Sequence, residues 1–508
     1  MNRISHILTL DVGTTSIKTC LWAKDFRLVY FASTEYELLT PSKDIVELAP
    51  EKYWEAVCDS ILKVVKDSGV DSRGIKVVTF TTQGETLIPV DKEGNALHNA
   101  LVWLDARAAE ESEAIGKGIG REDFYRHTGL PEAGPACPAA KVLWFKNKKP
   151  ELFDKVYKIL LLEDFLIYKF TGEFVTERSL MSSTGYFDVH RNALWERTLE
   201  VLGVGAEYFP EILQCGTRVG LIREDVADGL GLKQGAVVST GAMDQISSAI
   251  GAGNIVPGVV TETTGTALVI AATVERPKFD AASGMSYYRH YNQQFLMLPY
   301  NPTAGIVLKW FKDEFCREEI EASRMKGISV YEMLDGMAER VVPLSGGMLV
   351  IPHFAGKLSP DINPHARGVF FGVGLDTKKE HFIGAILESI GYMLKENIEA
   401  VEQIGVKINE IRSLGGGSRS RLWNSVKADI CEKDILTMAQ DESTSLGAAM
   451  LGAVSVGLYK SIEEACGNFV RIGQVFKPDE SHFEMYRKGY RLYQKLYGSL
   501  NRLFKERV

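Results

Sequence analysis

Alternation of apolar and polar positions sets three short strands at the front of the chain. HILTLDVG (6–13) and SIKTCLWA (16–23) are apolar runs on either side of a turn of small hydroxyl residues. FRLVYFAS (26–33) follows after a Lys24-Asp25 turn. In EKYWEAVCDSILKVVKDSG (51–69) the period changes: Trp54, Val57, Ile61, Val64 and Val65 fall on one helical stripe that stops at Gly69. IKVVTFTTQGE (75–85) is apolar again and ends in a polar turn. Strands in a row, then helix, then strand predict an α/β domain built on a mixed sheet.

The pattern then starts again. VVTETTGTALVIAAT (259–273) reads once more as strand, Thr/Gly turn, strand, and QQFLMLPY and the helix IVLKWFKDEF follow it. A long helix spans 381–405, after which come the strand EIRSLGGG and the helix RLWNSVKADIC. Two similar starts suggest a duplicated domain, with a boundary near Gly251–Asn254 and units of 1–250 and 251–508. An echo of two short turns can also arise by chance.

Composition narrows the field. A chain of 508 residues is too long for one core, and its net charge of −8 argues against a nucleic-acid or anionic-membrane partner held by bulk charge. Seven cysteines stand singly with no CxxC pair, which suits a reducing cytoplasm and neither a disulfide framework nor a zinc site. The apolar run Ile7–Leu10 is too short for a leader peptide, and no stretch has the roughly 18 apolar residues of a membrane span. No His/Cys grouping has metal-ligand spacing. His353 and His365 read as loop or packing residues.

Candidate chemistry concentrates at the turns. Asp11, Gly13, Thr14, Thr15 and Ser16, followed by Lys18, offer hydroxyls and free N–H groups of the kind that hold phosphate. A carboxylate in such a turn repels phosphate unless a divalent cation lies between them, which points to a Mg-nucleotide. Thr263, Thr264, Gly265 and Thr266 repeat the theme, although each turn alone could be a plain hairpin. In GAMDQISSAIG (241–251) Asp244 follows a strand and opens a helix. It could cap that helix, or accept a hydroxyl proton during phosphoryl transfer, with Gln245 bonding a second hydroxyl. The triple glycine of LGGGSRSRLW lets a flat ring approach closely, or is a tight turn capped by Ser418. Gln83, Glu85, Asp105 and Arg107 end strands as ligand-holding or as surface-turn residues. Trp54, Trp103 and Trp144 read as core.

Together these motifs resemble the FGGY carbohydrate kinases, a group that includes xylulose, ribulose, gluconate and glycerol kinases. The most specific part is GVFFGVGLDTKKEHFIGAILE (368–388), where Gly368, Phe370, Gly372, Val373, His381, Phe382, Ala385, Ile386, Leu387 and Glu388 fit the C-terminal signature. Pro138, Lys141, Trp144 and Phe145 match the N-terminal signature, whereas Ala136 departs from it. The resemblance implies an actin-like (ribonuclease H-like) duplicated two-domain α/β fold with ATP in the interdomain cleft. It implies Asp244 as general base, Mg²⁺ at Asp11, and phosphates held by the loops at Asp11–Lys18 and Thr266. It places Gly305, Lys309, Gly416, Gly417 and Arg421 at the nucleotide, and Gln83, Gly84, Glu85, Asp244 and Gln245 at the sugar.

Gln83-Gly84-Glu85-Thr86 shares Glu85 and Thr86 with glycerol kinases but has Gly84 where they carry arginine. Ala136 likewise replaces their tyrosine. The expected pocket is roomier and takes a pentulose or a four- to five-carbon polyol, with glycerol or gluconate as the alternatives. The partner is then a small molecule, in a cytoplasmic enzyme that could be a homodimer. An actin- or chaperone-like ATPase switch is the rival from another class.

Overall fold

The computed structural model describes residues 6–232, 235–280 and 284–506. In the first half, β1 (His6–Val12), β2 (Ser16–Ala23) and β3 (Leu28–Glu35) form an antiparallel meander, followed by helix α1 (Pro50–Asp67) and strand β4 (Ile75–Thr82). Strand β4 lies parallel to β1 on its other side, and β5 (Val237–Ser239) lies parallel to β4. Helix α2 (Asp244–Gly251) then leaves the sheet. The predicted apolar stripe of α1 is buried at Val57, Ile61 and Val64, with Tyr53 beside it and Trp54 and Val65 half-buried.

The second half repeats this topology strand for strand. β6 (Val259–Thr264) pairs antiparallel with β7 (Leu268–Val274), and β7 with β8 (Phe295–Leu298). Helices α3 (Gly305–Phe315) and α4 (Lys379–Gln403) precede β9 (Glu410–Leu414), which lies parallel to β6. Helix α5 (Arg421–Cys431) leads to β10 (Ile435–Met438), parallel to β9. Each half therefore places its Thr/Gly turn at the end of a strand flanked by an antiparallel and a parallel neighbour. The turns do not align residue for residue because they differ in length. Val12 pairs with Ile17 across the first, and Thr264 with Leu268 across the second.

The halves are joined by a close helix crossing. Helix α6 (Ser443–Ser455) packs on α2 and also covers β1 and β4 of the first sheet. This burial on a second face explains why β1 is buried along nearly its whole length, Thr9 included. At the crossing a Cβ on Gly251 would strike the Ser443 carbonyl, and one on Gly447 would strike the Ser247 carbonyl. Only glycine lets these backbones approach so closely. Ser445 Oγ lies 2.6 Å from Thr9 Oγ1 and accepts the Trp22 indole N–H at 3.1 Å, so α6 is tied to the first sheet by side chains as well. Helix α7 (Phe483–Glu506) lays Tyr486, Tyr490, Tyr493 and Tyr497 into the second half.

Candidate active site

The first turn is braced from outside the sheet. The Gly13 N–H donates to the Ser16 carbonyl at 3.0 Å, and the Tyr36 hydroxyl donates to the Gly13 carbonyl. Trp103 Nε1 donates to Thr14 Oγ1 at 2.9 Å, while Thr15 stands exposed at the tip. Trp103 is thus half-buried against the turn and not the core residue expected from sequence.

Behind this turn the structure gathers acids. Asp11 faces Lys18 across the β1–β2 ladder, and its carboxylate accepts no hydrogen bond among the described residues. Burial, reinforced by the charges of Asp244 and Glu442, lifts its pKa to about 7, against the opposing pull of Lys18. Asp244 is the first residue of α2 and accepts the Gln245 N–H at 2.7 Å. Burial lifts its pKa to about 6. Glu85 sits in the left-handed backbone region at φ 64°, and burial, with the charge of Asp244, raises its carboxyl against the attraction of Lys141. Asp244 thus acts electrostatically on both Asp11 and Glu85, and joins the three acids into one cluster.

The nearby cations are already engaged. Lys18 donates to both carboxylate oxygens of Glu442, at 2.9 and 2.8 Å, across the two halves. Lys141, fully buried, donates to the Glu85 carbonyl at 3.1 Å and the Val102 carbonyl at 2.9 Å, which holds the unusual turn at Glu85 in place. Asp105 and Arg107 bond to each other. They form a buried ion pair that also takes in Glu47, and Asp105 accepts the Val46 N–H at 2.7 Å.

The second turn has the same frame with a different charge arrangement. Glu262, two residues before its end, is fully buried and paired with Lys427 at 2.7 Å. Lys427 also donates to Thr264 Oγ1 at 3.0 Å, and the Thr264 hydroxyl donates to Glu262 at 2.7 Å. The Gly305 N–H reaches the Gly265 carbonyl at 2.8 Å, and a Cβ at Gly417 would lie 2.7 Å from the Thr264 Cβ. These close approaches require glycine, and they bring three distant segments together. Gly265, Thr266, Gly305, Lys309, Gly416, Gly417 and Arg421 all line one cavity of about 1150 Å³.

Other expectations divide. Gly13, Thr14, Thr15, Ser16 and Lys18 do not line that cavity, which belongs wholly to the second half. Lys309 lines it but pairs with Asp313 one turn along its own helix. Gln83 is turned inward, its amide donating to the Tyr53 hydroxyl at 3.3 Å. Gln245 is half-buried beside Asp244. At Gly84 a Cβ would lie 3.1 Å from Met243 Sδ and 3.2 Å from Ser183 Oγ, both side-chain atoms. Helix α5 is capped by Ser420, whose hydroxyl accepts the Trp423 N–H at 2.9 Å, and not by Ser418.

Sequence reasoning missed the wall formed by Tyr331, Glu332 and Asp335, and the hydroxyl of Tyr288, whose pKa the charges of Glu85 and Asp244 help to raise. No local motif marks either, because both reach the site only through long-range folding.

Comparison with known proteins agrees with this architecture. Residues 6–251 match the FGGY family of carbohydrate kinases, N-terminal domain, and residues 260–456 match its C-terminal domain. A gluconokinase of Bacillus subtilis (strain 168) is 28% identical over 98% of this chain and 96% of its own. A xylulose kinase of the same strain is 26% identical over 97% of both chains. Among solved structures, ligand-bound xylulose kinase from Lactobacillus acidophilus superposes with a TM-score of 0.90 at 24% identity, covering 99% of this chain and 100% of that one. At that identity the likeness carries the fold.

Proposed function

The chain belongs to the FGGY family of carbohydrate kinases, and we propose that it transfers the γ-phosphate of ATP to a hydroxyl of an uncharged ketopentose or four- to five-carbon polyol. One observation carries the choice of an uncharged acceptor. The cluster of Asp11, Glu85 and Asp244 is acidic, and the ammonium groups acting on it are taken up by Glu442 and by backbone carbonyls. A sugar acid would bring a further carboxylate into this field, whereas a neutral polyol can donate its hydroxyls to it. Relatives named gluconokinase and xylulose kinase supply the two precedents, and the charge balance favours the second.

On this reading Asp244 accepts the proton of the attacking hydroxyl as the acceptor oxygen bonds to the γ-phosphorus. The bond to the β-bridging oxygen breaks, and ADP leaves with its electron pair. The second-half cavity holds the nucleotide, with N–H donors around Gly265 and Gly417 facing the phosphates. The first turn adds donors from Thr14 and Thr15 when the two halves close on the ligand.

The residues also fit a magnesium ion. Asp11 accepts no hydrogen bond among the described residues, and burial and the charge of Asp244 hold its carboxyl above the ordinary range. Mg²⁺ takes one or two carboxylates, with water and phosphate completing its shell. Bound there, it would offset the charge between Asp11 and the phosphates.

An ADP-release assay over pentuloses, tetritols, pentitols, gluconate and glycerol tests the proposal. A neutral acceptor should outpace gluconate by at least about tenfold in kcat/KM. Gluconate as the best acceptor would refute the uncharged-acceptor reading, and equal ATP turnover with every acceptor would refute the kinase reading.

A further inference from the structure

The segment that delivers Asp244 is gripped from two sides. On one side it lies along β4: Ala242 and Met243 pair with Thr81 and Thr82, and Gly241 presses so closely on the Phe80 carbonyl that any side chain there would collide. On the other side two buried side chains hold its backbone. The Gly241 N–H donates to Glu163 Oε1 at 2.7 Å, and the Met243 N–H donates to Ser179 Oγ at 2.9 Å.

Ser179 has one hydroxyl proton, and it is committed. That proton goes to Glu177 Oε1 at 2.6 Å, which turns a lone pair of Ser179 toward the Met243 N–H. Glu177 is itself fully fixed. It accepts the N–H groups of Ser179 and Leu180, at 2.6 and 2.7 Å, and the Cys215 thiol at 2.8 Å. Four donors converge on one buried carboxylate, which fits an acceptor-only, ionised group. None of these residues reaches the cleft chemistry directly. Their connection to it is the Ala242–Met243 peptide, one residue before Asp244.

We propose that Glu177, acting through Ser179, is a positioning pair that fixes the Met243 peptide and so aims the Asp244 carboxylate at the acceptor hydroxyl. This inference rests on Asp244 being the general base. Ser179→Ala removes the acceptor of the Met243 N–H. Glu177→Gln replaces an acceptor oxygen with an NH₂ group facing other donors. Each variant should lower kcat by about 10²-fold, the scale of a small misplacement of a reacting group. Their ATP affinity, read by calorimetry, should stay within about twofold, because the nucleotide cavity lies in the other half. Since the two residues act in series, the double variant should be no slower than the slower single variant.

A folded Ser179→Ala protein with wild-type kcat would overturn the proposal. So would losses that multiply in the double variant while ATP binding weakens in parallel, because that pattern marks a merely structural role. A wild-type protein that phosphorylates no acceptor overturns the kinase reading itself, and is told apart by needing no variant.

Discussion

The two Thr/Gly turns sit at matching places in a repeated topology, yet they treat their acids in opposite ways. In the second half, Glu262 is buried and neutralised by Lys427, which also donates to the Thr264 hydroxyl. In the first half, Asp11 sits behind the turn without a hydrogen bond, raised by burial and by Asp244. The acid behind the second turn is therefore cancelled within the protein, which suits the phosphate-holding role proposed for it. The first half leaves Asp11 without a hydrogen bond among the described residues, a state that suits the cation proposed to meet it. The two halves share a frame, and the pairing of Glu262 with Lys427 sets the second apart from the first.

The largest effect should come from Asp244→Asn. Turnover of the acceptor should fall by about 10²–10⁴-fold while calorimetry still finds ATP bound. Retention of full turnover would remove Asp244 from its role and erase the contrast between the halves.

Next is Lys427→Met, which strips the second turn of its compensation. An unpaired buried Glu262 should cost about 3–5 kcal/mol of stability, visible in urea unfolding, and the additional change Glu262→Gln should recover part of it. If Lys427→Met unfolds at the wild-type midpoint, the neutralised pair does not distinguish this half.

pH tests the first half by a smaller effect. With Asp244 near 6, kcat/KM should fall about tenfold per unit below that value, because the protonated acid cannot accept the hydroxyl proton. Stability should move the other way. Asp11 binds its proton more tightly folded than unfolded, so its share of stability declines as pH rises from about 4 through about 7. Asp11→Asn should therefore raise the melting temperature of the ligand-free protein at pH 8, with the gain shrinking as the pH approaches 4. A constant gain at every pH would contradict the assignment.

Smallest is Trp103→Phe, which removes the indole N–H from Thr14. Loss of one such bond is worth about 0.5–1.5 kcal/mol, or a few-fold in the KM for ATP, with kcat little changed.

How much of this was legible in the chain differs between fold and site. Strands β1 to β4, the stripe of α1 and the restart at Val259 follow from local periodicity, which depends only on which faces must be buried. Gly417, in the triple glycine, was legible as a close-approach position, since such residues announce themselves by lacking a side chain. What surrounds Gly84 was not legible, because Met243 and Ser183, which stand 3.1 and 3.2 Å from where its Cβ would be, are distant in sequence.

The sequence alone thus determined the repeated α/β frame, the turns and the family, because each is written in residues close together along the chain. Tertiary structure alone decided the electrostatics. Whether Asp11 and Glu262 carry free or cancelled charge depends on Asp244, Lys18 and Lys427, which lie up to hundreds of residues away in the case of Asp11. Coulomb forces and desolvation depend on distance through space and on burial, and neither can be read from separation along a chain.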